Sequence, residues 1–425
     1  MFQKKVTNII KISICFILLI AIVSTASIPP TDKIENIRKY TRTIEFDYIG
    51  WTIDAVINKL EQAALDIPRF LSDDKQIVIV KNNMELTREI QTSQAVIETI
   101  YADPNIDDPD EFSKGEKKNL NNLQNAQSFF GPLSETILQQ QASTILRSMG
   151  LSFGGQPLPP LFYHITPLPY ALIVSPRDTI RQDANISLLP DMSLEERVAL
   201  EQEVEKKLDV SALVVPVGGV GVYPTMVLST SNLTSLTEII AHEWTHNYLT
   251  LRPLGMNYFT SNILRTINET TASISGKEIG LFILKKYYPE FVPPPETPAP
   301  VATYQTHPDE LGLPLIFDFR AEMRETRVKV DELLADGKII EAESFMEERR
   351  QFMWENGYQI RRLNQAYFAF HGAYADTPGG AAGDDPVGAA VRMLRDKSDS
   401  LSSFLNKISW ISSYEKLLSV LSEMP

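Results

Sequence analysis

Apolar residues recur at helical spacing along most of the chain, and this pattern predicts a mainly helical protein. Residues 48–71, 83–101 and 134–149 place apolar side chains three or four positions apart, as one buried face of a helix requires. The charged, Asn-rich stretch 107–125 lacks this spacing, so it predicts turns and solvated surface. We expect residues 29–150 to form an N-terminal helical region.

Residues 151–230 show a different pattern, in which short strand-like runs alternate with Gly and Pro. The runs rich in β-branched and aromatic residues are 162–165, 170–174, 211–217 and 222–228. Between them, Ser193 and Glu196 have the spacing of a capping box, which predicts a helix that ends near residue 208. The pattern therefore predicts a small sheet immediately before the next helical stretch.

Gly218, Gly219 and Gly221 separate the last two predicted strands, and two interpretations of them stay open. In the first, the glycines form a hairpin turn. In the second, residues 221–225 form an exposed edge strand, in which Pro224 removes no ladder hydrogen bond. In both cases the segment ends just upstream of the helix that carries the candidate chemistry.

The segment His242-Glu243-Trp244-Thr245-His246 lies late in an apolar helical stretch. On a helix, residues four apart share a face, so both imidazoles can reach a single metal ion. Glu243 points about 100° round the helix, from where its carboxylate can reach a water at the metal without being a ligand. This pattern is typical of metal-dependent hydrolases. The alternative is a buried helix with two core histidines that make ordinary hydrogen bonds.

A third ligand is expected from the next helix, because catalytic zinc sites use three protein ligands. Residues 261–288 predict this helix, and Glu269 lies about two turns into it. Small residues on the same face would let the two helices approach closely, and they are Ala272, Ser273 and Gly276. A solvated glutamate beside a chance run of small residues is the alternative. Glu278, on another face of the helix, is kept as a substitute ligand.

The chain resembles the gluzincins, zinc metallopeptidases with an H-E-x-x-H helix and a downstream glutamate ligand in an N-E-x-x-(A/S) context. The matching residues are His242, Glu243, His246 and Glu269, and the resemblance covers about residues 233–285. Ser273 stands where many members carry an Asp bonded to the first zinc histidine, so a hydroxyl or a backbone carbonyl would have to orient His242. A second, fainter similarity links residues 316–425, including 363–367, to the C-terminal half of predicted bacterial aminopeptidases of the same clan.

The resemblance implies an α+β, predominantly helical fold with a zincin-like catalytic region at residues 151–290. This region would combine the small sheet, the metal helix and the helix of the glutamate ligand. It implies Zn²⁺ held by His242, His246 and Glu269, with Glu243 as the general base for hydrolysis of peptide bonds. In this family a sheet edge beside the metal helix binds the extended substrate, which makes residues 221–225 the candidate segment here.

The Pro-rich residues 291–315 predict a stiff, exposed linker before a C-terminal helical region at residues 316–425. The helices expected there are 318–334, 339–354, 359–374, 387–397 and 400–420. Tyr367, His371 and Tyr374 share one face of the third, and the resemblance implies that a C-terminal Tyr or His stabilises the oxyanion. Tyr367 is the first candidate and His371 the second. Core packing of these aromatic residues is the alternative.

Residues 1–28 have the layout of a secretory signal peptide. Lys4, Lys5 and Lys11 precede the apolar run 12–23, and small residues follow it. This run is shorter than the roughly 20 residues that span a bilayer, but its extension to residue 28 leaves an uncleaved membrane anchor as an alternative. In both cases we expect a secreted or extracytoplasmic protein, attached to the membrane in the second.

Charge and cysteine content narrow the classes of function. A formal net charge of −14 argues against nucleic-acid binding, so a peptide or protein substrate is the expected partner. The only cysteine, Cys15, lies in the apolar run, so the exported region has no disulfide. Two alternatives to a peptidase stay open: a non-catalytic exported binding or scaffold protein with a structural or vestigial metal site, and a zinc hydrolase of non-peptide amides.

Overall fold

A computed structural model describes residues 32–102, 106–294, 317–375, 380–383 and 385–424. The expected signal peptide or anchor and most of the Pro-rich linker lie outside these ranges. Within the described residues helices dominate and three small sheets accompany them. The expectation of an α+β, predominantly helical protein is therefore confirmed.

Each stretch of helical apolar spacing in the first two thirds of the chain lies mostly within a helix. In order, the helices there are α1 (Lys33–Arg38), α2 (Tyr48–Leu65), α3 (Asp73–Ala102), α4 (Pro109–Ser148), α5 (Leu194–Leu208), α6 (Leu233–Leu249), α7 (Pro253–Met256) and α8 (Asn262–Tyr287). Of these, α3 and α4 extend well beyond the expected bounds. Beyond residue 316 the helices are α9 (Phe319–Ala335), α10 (Ile339–Glu355), α11 (Gln365–His371), α12 (Pro386–Asp396), α13 (Leu401–Ile408) and α14 (Tyr414–Ser422). Short 3₁₀ turns follow α2 and α8.

The strands form one hairpin and two three-stranded sheets. They are β1 (Ser152–Phe153), β2 (Gln156–Pro157), β3 (Tyr163–Ile165), β4 (Tyr170–Pro176), β5 (Ala184–Leu188), β6 (Val210–Pro216), β7 (Gly219–Val220) and β8 (Thr225–Val227). One sheet has the order β5-β4-β6 and is antiparallel. The other has the order β3-β8-β7, with β3 parallel and β7 antiparallel to β8.

One large apolar core joins all three expected regions of the chain. It contains Ile137 of α4, Trp244 of α6, Ile267 of α8 and Phe404 of α13, all almost fully buried. The helix α6, which carries His242 and His246, and its neighbour α8 are thus held by the N-terminal and the last C-terminal helices together. Since packed interiors tolerate little movement, this core fixes the position of α6 relative to α8.

A separate core lies between α9, α10 and α11, with Met323, Met346 and Phe368 at its centre. The other face of α11 packs on the β5-β4-β6 sheet through Phe370, against Ile173 and neighbouring side chains. The end of α11 lies beside α8, where the guanidinium of Arg265 donates to the carbonyl of Ala369 at 2.8 Å.

Residues 109–125 belong to α4, so the expectation of turns over most of the stretch 107–125 was wrong. The side chain of Asp108 accepts a hydrogen bond from the backbone N–H of Glu111 at 3.0 Å, and Pro109 follows at the first helical position. This cap begins α4, and most of the polar side chains that follow remain exposed on it. The expected solvation was right, but polarity did not prevent helix formation.

Two of the five expected C-terminal helices are shorter or divided in the structure, whereas α9, α10 and α12 agree with their expected bounds to within one residue. The expected helix 359–374 is limited to α11, because the side chain of Asn364 caps it by accepting from the N–H of Tyr367 at 2.9 Å. The expected helix 400–420 is divided into α13 and α14, and Ser413 caps the second. In both cases a local side-chain cap decides where the helix begins.

The expected capping box of α5 is confirmed: Ser193 and Glu196 bond each other's backbone N–H groups. Strand β5 was not expected, although Ala184, Ile186 and Leu188 alternate with more exposed residues as in a half-buried strand. None of the helices among the described residues combines the length and hydropathy needed to cross a membrane.

Candidate metal centre

The helix α6 begins where the side chain of Asn232 accepts a hydrogen bond from the N–H of Ser235, at 3.1 Å. Its core face is anchored by Trp244, whose indole N–H donates to the carbonyl of Pro159 at 2.9 Å. Because Trp244 is buried in the core, the opposite face of α6, which carries His242 and His246, lines a cavity.

Three ligand atoms converge at this face. The Nε2 atoms of His242 and His246 lie 3.1 Å apart, and each lies 3.5 Å from Oε2 of Glu269. The group is buried to half-buried, and it could hold a metal ion. The sequence-based choice of His242, His246 and Glu269 thus corresponds to one spatial cluster.

The triangle has the dimensions of a tetrahedral metal site. Bonds of about 2.0–2.1 Å to a tetrahedral ion place its ligand atoms about 3.3 Å apart. The Oε2 atom of Glu269 is buried and makes no hydrogen bond within the described residues. The other oxygen, Oε1, accepts a hydrogen bond from the hydroxyl of Tyr258. A carboxylate held in this way presents one free lone-pair oxygen to the two imidazoles.

Small residues on α8 allow the close approach that the shared site needs. A Cβ atom at Gly276 would lie 2.8 Å from the carbonyl oxygen of Glu238 and 3.1 Å from Cβ of His242. A Cβ atom at Gly280 would lie 3.1 Å from the backbone nitrogen of Glu238. The stripe of small residues read from the sequence therefore includes a position where a side chain is excluded by the neighbouring helix.

The two histidines are oriented differently. The Nδ1–H of His246 donates to Oδ1 of Asn268 at 2.8 Å, which leaves Nε2 free to bind a cation. The ring of His242 lies beside the ring of Tyr374, with centroids 6.1 Å apart. Ser273 lines the cavity next to them.

The buried carboxylates and imidazoles shift each other's pKa. Burial alone would raise the pKa of Glu269, but the neighbouring His246 and His242 outweigh it and hold that pKa well below its usual range. Burial also disfavours a charge on His246, yet Glu269 and Glu243 raise its pKa to about 9. Glu269 and His246 thus favour each other's charged forms, and a cation bound here would take the place of the proton.

Glu243 lies between the metal helix and the glycine-rich segment, and only 7% of its surface is exposed. A Cβ atom at Gly219 would lie 2.6 Å from Oε1 of Glu243, and one at Gly221 would lie 3.3 Å from Oε2. Burial raises the pKa of Glu243. The glycines are therefore required for close approach to this carboxylate, a role that neither sequence-based interpretation included.

The sheet edge beside the site is β7, not residues 221–225. β7 pairs only with β8 among the described strands, at the outer edge of the β3-β8-β7 sheet. Residues 221–224 form the connection to β8, and the hydroxyl of Tyr223 donates to the carbonyl of Pro160 at 3.1 Å. The expected edge strand was thus misplaced by two residues, because Gly219 has little strand propensity of its own.

A cavity of about 820 Å³ opens over the three ligand atoms and Glu243. The cavity is also lined by Tyr48 of α2 and Tyr170 of β4, and by Phe259, which lies in the connection before α8. Tyr374 also lines the cavity, whereas Tyr367 and His371 are not among its lining residues. Tyr374 follows the end of α11, so it does not continue the helical face that the sequence suggested.

Tyr367 and His371 lie in apolar surroundings. Tyr367 packs against the core of α9, α10 and α11, and the rings of Tyr367 and His371 lie 4.3 Å apart. Burial raises the pKa of Tyr367 to about 12 and lowers the pKa of His371 to about 4. Both therefore remain uncharged near neutral pH.

Two residues of the site were not identified from the sequence. Tyr258 bonds Glu269, and burial raises its pKa well above the usual range. Arg265 is buried and donates from Nη1 to the carbonyl of Ala369 at 2.8 Å, and it lines the cavity. Arg265 stands four residues before Glu269, so helical spacing could have indicated it. Tyr258 lies in a connection and has no such signal.

Glu278, the substitute ligand, and His164 have partners outside the candidate metal cluster. Glu278 forms two hydrogen bonds with the guanidinium of Arg395, at 2.6 and 2.8 Å. The Nδ1 atom of His164 lies 3.2 Å from a carboxylate oxygen of Glu135. Glu278 thus links α8 to α12, and His164 links β3 to α4, and neither side chain belongs to the candidate metal cluster.

Comparison with models of protein families, with curated proteins and with solved structures finds no match to this chain. The interpretation of the site therefore rests on its own geometry. That geometry comprises a His₂Glu cluster able to hold a metal ion, a buried carboxylate beside it and a cavity open to both.

Proposed function

We propose that this protein is an exported, zinc-dependent peptidase of the gluzincin type. The observation that carries the proposal is the convergence of the ligand atoms of His242, His246 and Glu269 within 4.8 Å of one another. The position of the buried Glu243 on the same helix supports it, because a non-catalytic metal site has no need of an additional carboxylate. The export part rests on the signal-like pattern of residues 1–28.

The donor set favours zinc among the metals. Two neutral imidazole nitrogens and one carboxylate oxygen, with space left for a fourth ligand, are typical of catalytic zinc sites in hydrolases. Zinc bound here would act as a Lewis acid that lowers the pKa of water and polarises the carbonyl of the scissile bond. Asn268 supports this role, since it fixes the tautomer of His246 that binds through Nε2.

Glu243 takes the proton from the attacking water and delivers it to the nitrogen of the leaving amine. Its carboxylate is held against Gly219 and Gly221, where a larger residue would displace it. Burial raises its pKa, which makes it a better proton acceptor at the start of the reaction. The raised pKa also allows the carboxyl group to keep the proton until the amine leaves.

We assign to Tyr374 the hydrogen bond that stabilises the oxyanion of the tetrahedral intermediate. It lines the cavity, and its ring lies beside that of His242. Burial raises its pKa well above the usual range, so its hydroxyl keeps the proton that such a donor needs. This assignment takes the place of Tyr367 and His371, which do not line the cavity.

The edge strand β7 gives the proposal a substrate-binding element. An extended peptide can pair with an open strand edge through main-chain hydrogen bonds, which is the general mode of β-augmentation. β7 lies directly over Glu243, so a peptide paired with it would pass the ligand cluster. A peptide or protein is therefore the proposed substrate.

The test measures zinc content and peptide hydrolysis for the full chain and for Glu243→Gln. We expect both proteins to bind zinc and the variant to lose at least about 100-fold in kcat. Peptides with free and with blocked amino termini distinguish exopeptidase from endopeptidase activity. A protein that binds zinc but hydrolyses no peptide would instead be the scaffold protein with a structural metal. Undiminished turnover by Glu243→Gln would remove the general-base assignment.

A further inference from the structure

The outward face of α2 is apolar, and no described part of the chain covers it. Ile49 is 77% exposed, Ile53 is 56% exposed and Leu60 is 65% exposed. Val56 and Ile57 of the same helix are also exposed, and Phe70 follows in the adjoining 3₁₀ turn with 82% exposure. Single exposed apolar residues are common, but a row of them along one helix marks an interaction surface.

These side chains form one stripe because of their spacing. At about 100° per residue, Ile49, Ile53, Val56, Ile57 and Leu60 fall within an arc of about 100°, and the stripe extends about 17 Å along the helix axis. The exposed polar residues Asp54, Asn58 and Glu61 lie along one edge of it. The stripe therefore has the width and the polar border of an amphipathic face.

The inward face of α2 carries charge instead. Lys59 is only 7% exposed and forms an ion pair with the buried Glu135 of α4. Gln62 bonds the same carboxylate at 3.2 Å. The usual arrangement is thus inverted: the helix is held to the protein by polar contacts, while its apolar surface faces outward. A polar attachment of this kind leaves the apolar face available for a separate partner.

The position of α2 in the chain, close to the apolar run of residues 12–28, indicates a lipid bilayer as that partner. The apolar run of residues 12–28 ends four residues before Asp32, where the described chain begins, and four residues span at most about 14 Å. α1 follows at once and packs on the sheet through Ile37, and α2 begins ten residues after α1 ends. A bilayer that holds residues 12–28 would therefore lie next to this end of the molecule.

We propose that α2 lies flat on the surface of a lipid bilayer, with its apolar stripe buried among the acyl chains at the interface. The helix is not apolar enough to cross the membrane, and its polar edge suits the headgroup region. The exposed charges beside the stripe are Asp54 and Glu61 rather than Lys or Arg. Apolar burial therefore drives the contact, and a zwitterionic phosphatidylcholine surface is sufficient.

The contact would also place the cavity close to the membrane. Tyr48 begins α2, and its hydroxyl bonds Oγ of Ser187 at 2.7 Å in the cavity wall. The surface itself does not depend on the proposed peptidase activity, since none of the stripe residues lines the cavity. The two proposals can thus fail separately.

Spin labelling of the full chain in phosphatidylcholine vesicles tests the proposal. Cys15→Ser removes the natural thiol, and single cysteines are then placed at Ile53, Ile57 and Leu60 in separate variants. The matched controls are Asp54→Cys, Asn58→Cys and Glu61→Cys, which lie on the same helix at its polar edge. Electron paramagnetic resonance then measures how often each label collides with oxygen, which concentrates in lipid, and with a water-soluble nickel chelate.

We expect labels on the stripe to collide mainly with oxygen and labels on the polar edge mainly with the nickel chelate. As a control, the protein is transferred by way of detergent from the vesicles into an amphipathic polymer. The collision rates of the labels should then no longer depend on phospholipid. Frequent nickel collisions at positions 53, 57 and 60 would show that the stripe faces water and would overturn the proposal. Low collision rates with both reagents at these positions would also overturn it, since they would show that protein, such as a second copy of the chain, covers the stripe.

Discussion

Oδ1 of Asn268 lies 2.8 Å from Nδ1 of His246. The next residue, Glu269, approaches the same imidazole from its other side, at Nε2. α8 therefore contributes both a candidate ligand and the group that orients another ligand. Consecutive residues can do this because Glu269 reaches Nε2 while Asn268 reaches the opposite edge of the ring.

Asn268→Ala should weaken zinc binding about 10- to 100-fold, because His246 loses the acceptor that fixes its tautomer. Asn268→Asp keeps an oxygen at the same place and should retain most of the affinity. Competition with a chromophoric chelator measures both dissociation constants. Equal zinc affinity in wild type and Asn268→Ala would mean that this hydrogen bond does not support the metal.

Glu269→Ala should lose zinc at neutral pH, since it removes one of three protein ligands. Glu278→Ala is the matched control on the same helix, and it should keep the metal because Glu278 is paired with Arg395. Loss of that partly exposed ion pair should cost no more than about 1 kcal/mol of stability. Zinc content after dialysis separates the two variants, and the reverse result would transfer the ligand role to Glu278.

Tyr374→Phe should lower kcat about 10²- to 10³-fold with little change in KM, because the lost hydrogen bond forms only in the transition state. Tyr367→Phe should change kcat only a few-fold, since Tyr367 does not line the cavity. Steady-state kinetics on one peptide substrate measures both. A larger effect at Tyr367 would return the oxyanion role to the residue that the sequence favoured.

Gly276→Ala should destabilise the fold by about 1–3 kcal/mol and weaken metal binding, because the new Cβ would press on α6 at Glu238 and His242. Gly115→Ala is the control, since a Cβ at this position in α4 meets no atom within 4 Å. That change should stabilise the protein by about 0.5–1 kcal/mol. Denaturant unfolding of both variants checks the signs. Equal stability of the two would mean that α6 and α8 have room to separate.

His371 should make the protein less stable as the pH falls. Burial lowers its folded-state pKa to about 4, whereas an unfolded histidine titrates near 6.5. The unfolded state therefore binds more protons between these values, and roughly 3 kcal/mol is lost as the pH falls from 7 to 4. His371→Phe should remove this part of the pH dependence. Unfolding free energies at pH 7 and pH 4 test it, and an unchanged difference in the variant would show that His371 is accessible to protons in the folded state.

Much of the ligand set could be predicted from the sequence because it depends on local geometry. The four-residue spacing of His242 and His246 places both on one face of any helix, and the apolar residues around them predict that helix. Glu269 lies on a second strongly periodic helix, beside small residues that permit close contact. These features are short-range, so no knowledge of the remaining chain was needed.

Contacts between distant segments could not be predicted in this way. Gly219 comes to lie against Glu243 only because β7 pairs with β8 and β8 leads into α6. Tyr374 reaches the cavity only because α11 ends at His371, with Gly372 as its C-cap, and packs on the β5-β4-β6 sheet. Helical spacing groups Tyr374 with Tyr367 and His371, and spacing alone does not show which of the three lines the cavity.

The sequence by itself determined the helical class of the protein, its paired metal helices and the identity of three residues able to hold a cation. These follow from periodicity and spacing, which act over a few residues. The tertiary structure alone decided which aromatic residues line the cavity, why the glycines are required and which face of α2 the described residues leave exposed. Such features depend on packing between elements far apart in the chain, and a local pattern of residues does not specify that packing.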